Sequence, residues 1–499
     1  MSTSRPCCPV RGFRSACCVS ELLRNTKYTV RNTSSASAVS LFRSTFHELR
    51  RSMSTDDASD DFPASKLERS GLFAKTGLKV GKNYAQYLMD RATGAEEEAR
   101  KRELNAQNAR DLFEEFTRLR GTALKLAQSM SMDTGLLPDE FMEVMAEAQY
   151  SVPPMNKALV RKRIRDGLGR FPELLFDDFE PEAMAAASLG QVHRARLDDG
   201  RDVAVKVQYP NVRETIESDL SVARTLFERL IQGDGVDAHF EEVKARLQEE
   251  TDYLNEAQNI DHFADQYDGE KLVVPRPVPD RTAETVLTMT HVDGQHLDAF
   301  LDADPSPGER DRFGQLLWDF LHEQVAGNAR TLHADTHPGN FLFRDDGRLG
   351  VIDFGCVKTF PQQFRDDMLR LFRARMAGDE DQITDLLYTL DILHDGLPAE
   401  TQEELRHFFD EYGSLIVEPY RQSSFDFGDP AFRDRLQDCF EQASHLRAAT
   451  GSPHFIFLNK ALVGLLNLLT RLEARVDTTE SLSLLNESLE GLGCAAVER

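Results

Sequence analysis

The 499-residue chain contains no stretch of eighteen apolar residues, so its sequence predicts no transmembrane helix. Lysine is scarce: of 59 basic residues, 14 are Lys and the rest are Arg. The 84 acidic residues leave a net charge of −25, which argues against nucleic acid as the main partner. None of the seven cysteines has the C-x-x-C spacing of a zinc site. Cys356, Cys439 and Cys494 are too few and too scattered for a disulfide framework, which fits a reducing compartment. No internal repeat occurs. With 40% hydrophobic and 29% charged residues, the chain has the balance of a globular protein, long enough for one large domain or two modest ones. The acid excess suits solubility at high salt, and equally a merely acidic protein.

The charge is unevenly spread. Residues 1–52 carry nine basic and two acidic side chains, a net of +7, so the remainder carries −32. This leader is Ser-rich and holds Cys7, Cys8, Cys17 and Cys18. It reads either as an organelle transit peptide or as an extension upstream of a true start at Met53. The acidic body favours the second reading, and both exclude residues 1–52 from the fold. Residues 53–70 read as an acidic linker.

Residues 71–178 read as an N-terminal helical extension. Its first part, 71–89, has no acid and places Lys75, Lys79 and Lys82 on one helical face, as a helix lying on an anionic bilayer would. A helix packed on the domain with a solvated Lys stripe reads the same way. Long helical patterns cover 96–131 and 138–150. Residues 179–295 turn to short alternating runs. Val192–Leu197 and Val203–Val207 predict a hairpin turned at 198–201, and Val286–Thr290 a further strand. Helices are predicted over about 211–233 and 238–266. Residues 296–480 are mostly helical, and 481–499 form a tail. A β-rich lobe followed by a helical lobe is an α+β class with a cleft between the lobes.

Three elements carry chemistry. His333-Ala334-Asp335 followed by Asn340 has the D-x-x-x-x-N spacing of a kinase catalytic loop, and Asp353-Phe354-Gly355 follows shortly after. In that pattern the first Asp orients the attacking hydroxyl, while the Asn and the second Asp hold metal on the phosphates. A D-F-G alone recurs by chance; with the upstream spacing it is specific. Val203-Ala204-Val205-Lys206-Val207 matches the strand whose lysine neutralises nucleotide phosphates. Alone it would read as an ordinary solvated strand lysine.

Ahead of that strand lie Ala185, Ala186, Ala187, Ser188, Leu189 and Gly190, where a kinase has G-x-G-x-x-G. Alanine restricts positive φ, so this loop is stiffer than a glycine loop, though its amides remain phosphate donors. A short helix start capped by Ser188 is the plainer reading. Glu250-Thr251-Asp252 falls in a predicted helix, where Glu250 is placed to pair with Lys206; a solvated acidic face is the alternative. Gly121–Ser129, containing Lys125 and Gln128, reads by composition as a surface helix.

Together these residues resemble the UbiB family of atypical, AarF-domain kinase-like proteins. The resemblance runs from about residue 70 to about 475. It implies a protein-kinase-like bilobal fold with the N-terminal extension packed over the nucleotide cleft. It makes Lys125 and Gln128 the K-x-G-Q element, here with Ala127 in place of Gly, and Ala185–Ser188 the Ala-rich loop. It makes Lys206 the strand lysine, Glu250 and Asp252 the E-x-D pair, Asp335 the catalytic-loop Asp, and Asn340 and Asp353 the metal ligands. Thr336 stands where Pro is common.

The resemblance also implies ATP and Mg²⁺ as cofactors, and ATP hydrolysis in support of ubiquinone or menaquinone biosynthesis. Expected partners are nucleotide, an anionic lipid membrane and quinone-biosynthesis enzymes, with no nucleic acid. The expected place is cytoplasmic, peripheral to a bacterial inner membrane, or the matrix side of the mitochondrial inner membrane if 1–52 is a transit peptide. A phosphotransferase acting on a protein or small molecule, and a nucleotide-sensing scaffold without turnover, are the alternatives.

Overall fold

The computed structural model describes residues 154–187, 189–227, 244, 247–267, 269–326, 331–445 and 452–499. The predicted elements at 71–89, 96–131 and 138–150, with Lys125 and Gln128, lie outside the described residues, as does Ser188.

Helix α1 (Lys157–Leu168) opens the described chain, and the Asn156 side chain caps it by accepting from the Leu159 amide. Five strands then form one sheet: β1 (Asp178–Phe179), β2 (Ala185–Ala187), β3 (Gly190–Arg196), β4 (Asp202–Gln208) and β6 (Val286–Thr290). Their order is β1-β3-β4-β6, with β2 also paired to β3. The β3–β4 hairpin and β6 match their expected positions. β4 is central, and its burial explains its composition: Val203, Val205 and Val207 are 0% exposed on one face, while Ala204, Lys206 and Gln208 alternate onto the other. α1 packs on β4 and β6.

Between β4 and β6 lie α2 (Val212–Phe227), α3 (Tyr253–Gln266) and the short strand β5 (Leu272–Val273). The sequence predicts one helix over about 238–266; instead the helical stretch 247–250 breaks at Thr251-Asp252 and α3 restarts at Tyr253. Asp252 caps the new start, its side chain accepting from the Asn255 amide. The alanine segment 185–187 is strand β2 and not a helix start.

The helical half contains α4 (Leu297–Asp302), α5 (Pro307–Ala326), α6 (Gln362–Ala377), α7 (Glu380–Thr389), α8 (Ala399–Val417), α9 (Pro430–His445), α10 (Pro453–Leu472) and α11 (Thr479–Gly491). α5 packs against α10 and α11, burying Phe313, Leu317, Trp318 and Leu321. Two short antiparallel pairings lie beside it. β7 (Thr331–His333) pairs with β10 (Val357–Thr359), and β8 (Phe341–Phe343) pairs with β9 (Leu349–Val351). The last pair, β11 (Ser424–Asp426) with β12 (Arg475–Asp477), closes the end of α10.

The apolar run at 455–469 is too short to span a bilayer, but α10 as formed is 20 residues long. By length and composition it is sufficient to cross a membrane. In this fold, Phe455, Phe457, Leu458, Ala461, Leu465, Leu466, Leu468, Leu469 and Leu472 are buried in the core. This is the packing of a core helix.

Candidate active site

The site is assembled by the two short strand pairs. β7–β10 pairing puts His333 opposite Val357, and the β8–β9 hairpin returns the chain so that the Ile352 amide donates to the Asn340 carbonyl at 3.0 Å. The loops 334–340 and 353–356 are thereby closed side by side. Asp335 lies near enough for its charge to act on Asp353. His333 Nε2 donates to the Asp353 carbonyl at 2.7 Å, which ties the two loops again. Its ring stands edge-on to Phe263 and Phe354, with centroids at 6.3 and 5.3 Å.

Lys206 reaches this loop pair from the sheet. Its Nζ lies 2.8 and 3.0 Å from the two Glu256 carboxylate oxygens and 3.1 Å from Asp353 Oδ2. The expected partner was Glu250, and this is a correction. The break at Thr251-Asp252 ends the helix carrying Glu250. α3 then presents Tyr253, Glu256, Ile260 and Phe263 as one buried stripe, so Glu256 is the carboxylate beneath Lys206. Asp252 caps α3 and lines an open polar groove with Asn255, Asn259 and His262.

The electrostatics follow from two carboxylates sharing one ammonium. Burial opposes charge on Lys206, but Asp353 and Glu256 outweigh it and hold its pKa well above the ordinary value. Burial also opposes charge on Asp353, yet Lys206 and the Gly355 amide, which donates to Oδ1 at 3.0 Å, hold that carboxyl below its usual range. Glu256 has the deepest position, and burial raises it to about 7 against the pull of Lys206, with the Asp353 charge adding to the rise.

α3 fixes the D-F-G segment as well. Asn259 Nδ2 donates to the Phe354 carbonyl at 3.0 Å, and the Phe263 and Phe354 rings lie 5.0 Å apart. On the 334–340 loop, Asn340 Nδ2 donates to Asp335 Oδ2 at 2.9 Å and to the Asp335 carbonyl at 2.8 Å. Asp335 Oδ1 accepts from Lys460 of α10 at 2.7 Å. Ala185 and Ala186 are exposed and Ala187 is half-buried. Gly190 serves the sheet, since a Cβ there would lie 2.3 Å from the Val207 carbonyl oxygen.

A family model described as the ABC1 atypical kinase-like domain matches residues 147–387. Over 391 residues the chain is 28% identical to the mitochondrial atypical kinase COQ8 of Saccharomyces cerevisiae, covering 76% of each chain. Residues 147–387 are an ABC1 atypical kinase-like domain, as in the COQ8 and AarF-domain kinases of the UbiB family. The chloroplastic protein Activity of BC1 Complex Kinase 8 of Arabidopsis thaliana is 33% identical over 57% of this chain and 39% of its own length. The chain thus spans about two fifths of that relative and three quarters of the yeast one. The Mycobacterium tuberculosis Rv3197–erythromycin complex resembles it in structure at a TM-score of 0.55. The two are 27% identical, and the match covers 81% of this chain and all of the other.

Within this domain the structure brings Lys206, Asp335, Asn340 and Asp353 into one cluster. Two further residues there escape sequence reasoning. Glu256 leaves a signal, a carboxylate in the apolar stripe of α3. Lys460 leaves a fainter one: it and Lys358 are the only lysines in residues 272–499 of an arginine-rich chain.

Proposed function

We propose that the chain is an ATP-binding atypical kinase or ATPase of the UbiB type that supports isoprenoid quinone biosynthesis. The observation that carries this reading is the meeting of the Lys206–Glu256–Asp353 cluster with the Asp335–Asn340 loop. Lys206 is the cation for the nucleotide phosphates, and Glu256 keeps it extended across the crevice. The Ala-rich segment 185–187, strand β2 paired to β3, would cover the phosphates from the sheet side. Asp335 would accept the proton of the attacking hydroxyl or water.

The donor set suits Mg²⁺. Asp353 offers a carboxylate, and Asn340, whose amide nitrogen is engaged by Asp335, offers its amide oxygen. Among the described residues no cluster of three or more His, Cys, Asp or Glu side chains could hold a metal alone. That fits an ion held by one or two protein oxygens together with phosphate and water. When bound, Mg²⁺ would neutralise phosphate charge.

Association with an anionic membrane through Lys75, Lys79 and Lys82 belongs to the same proposal. It rests on the sequence, because those residues lie outside the described ones. Quinone profiling of a strain lacking this protein tests the function, with rescue by wild type and by Asp353→Asn. Restored quinone with wild type alone supports it; equal rescue by the variant contradicts it.

A further inference from the structure

The catalytic loop of this chain lacks a cation of its own. His333-Ala334-Asp335-Thr336-His337-Pro338-Gly339-Asn340 contains neither Lys nor Arg. Yet the crevice concentrates negative charge: Asp335 and Asp353 face it, and a nucleotide would add phosphates. The sheet lysine, Lys206, is already engaged by two carboxylates. The cation that meets Asp335 comes from an element 125 residues away, Lys460 of α10, with Nζ 2.7 Å from Oδ1.

The approach of α10 is built. One turn beyond Lys460 stands Gly464, on the same helical face. A Cβ at Gly464 would lie 2.0 Å from Thr336 Oγ1 and 2.9 Å from the Thr336 carbonyl oxygen, so no other residue lets the helix lie this close to the loop. Thr336 Oγ1, buried there, donates to the Ala461 carbonyl at 2.9 Å. Two neighbours secure the same helix from other sides. The Tyr412 hydroxyl of α8 bonds Asn459, and Lys358 of β10 lies 4.4 Å over the Phe457 ring while pairing with Glu249. Lys460 is thus delivered to Asp335 by a docked helix. The two Asp335 oxygens are divided between Lys460 and Asn340.

We propose that Lys460 is a positioning residue for Asp335, supplying from α10 the cation that the catalytic loop does not carry. It holds one carboxylate oxygen while Asn340 holds the other, which fixes the plane in which Asp335 meets the attacking hydroxyl or water. The inference rests on the proposed ATP chemistry of this site and assigns it a residue from outside the motifs that define it. A group that orients a reacting side chain changes the rate of the chemical step more than substrate affinity.

The test compares the full chain with Lys460→Met, Lys460→Arg and Gly464→Ala, measuring Mg–ATP affinity and phosphate release under saturating ATP. The pair is part-exposed, at 29% and 27%, so Lys460→Met should fold with wild-type circular dichroism and melting. Its turnover should fall by about 10²-fold, the scale of a misplaced reacting group, with ATP affinity within about threefold of wild type. Lys460→Arg should recover most of the loss, because it keeps the charge. Gly464→Ala should reproduce the loss with Lys460 still present, because it lifts the helix off Thr336. A folded Lys460→Met with wild-type turnover overturns the inference alone. So does a variant that loses affinity and turnover in step, since Lys460 would then be a nucleotide contact. A wild-type chain that releases no phosphate contradicts both the proposed function and this inference.

Discussion

Glu256 is the site carboxyl that burial pushes toward its neutral form. Its carboxyl sits at about 7 in the folded chain against an ordinary 4.5. Between those values the folded chain holds a proton that the unfolded chain has released. The contribution of this group to stability therefore falls as pH rises from about 4.5 to about 7, and is level above that. Glu256→Gln should remove this slope, read as urea midpoints across about pH 5 to 8. A slope equal to that of wild type would show that Glu256 is ionised throughout. At this scale four of the site residues, Lys206, Asp335, Asn340 and Asp353, are legible because their spacings along the chain are themselves the signal. Glu256 is not, because Glu250 and Asp252 offer two nearer carboxylates, and only the break at Thr251 decides which one turns inward. Lys460 is not, because its partner is 125 residues distant and no local pattern encodes that contact.

At the scale of elements, alternation reveals β4 and β6, with Val203, Val205 and Val207 and then Leu287 and Met289 at every second position, whereas the buried face of β3 carries Gln191, His193 and Ala195 and the strand is legible only as the partner of β4 across the 198–201 turn. The break in the 238–266 helix is hidden because its residues are good helix formers on both sides. What ends the first helix is tertiary: Thr251 is buried and its carbonyl accepts from Gln208 Nε2 of β4 at 3.0 Å. Asp252 then restarts the chain as the cap of α3. Asp252→Ala should cost about 1 kcal/mol of stability, the usual loss of an N-cap, measured by denaturant unfolding. If capping is its whole role, Mg–ATP affinity should be unchanged; a marked loss of affinity would return Asp252 to the nucleotide site. Helix α10 agrees with the sequence, whose 455–469 run is too short to span a bilayer: the finished helix is long and apolar enough to cross one, but its buried contacts with α5 and Thr336 are those of a core element.

The whole molecule, with a net charge of −25, combines a kinase-like site with a strongly acidic body. Such a charge repels an anionic bilayer, so membrane binding through the lysine stripe must be weak. Each Lys near an anionic surface contributes on the order of 1 kcal/mol, and three give roughly 3 kcal/mol. Changing Lys75, Lys79 and Lys82 together to Glu should release the protein from cardiolipin-containing liposomes and leave Mg–ATP binding intact. Flotation with the liposomes undiminished by the triple change would remove this segment from the membrane proposal. Binding should also weaken as salt is added, because exposed charges are screened within about 8 Å at physiological ionic strength.

The central claim is that Asp353 and Asn340, facing Lys206 and Asp335, form a magnesium–nucleotide site. Calorimetric titration of ATP into the full chain, with and without Mg²⁺, tests it most directly when paired with the Asp353→Asn chain. Wild type should bind ATP in a magnesium-dependent way. This dependence should be lost in the variant, with circular dichroism unchanged, because an amide at position 353 no longer supplies the carboxylate. Undiminished Mg–ATP affinity in the folded variant, or no binding by wild type, would contradict it.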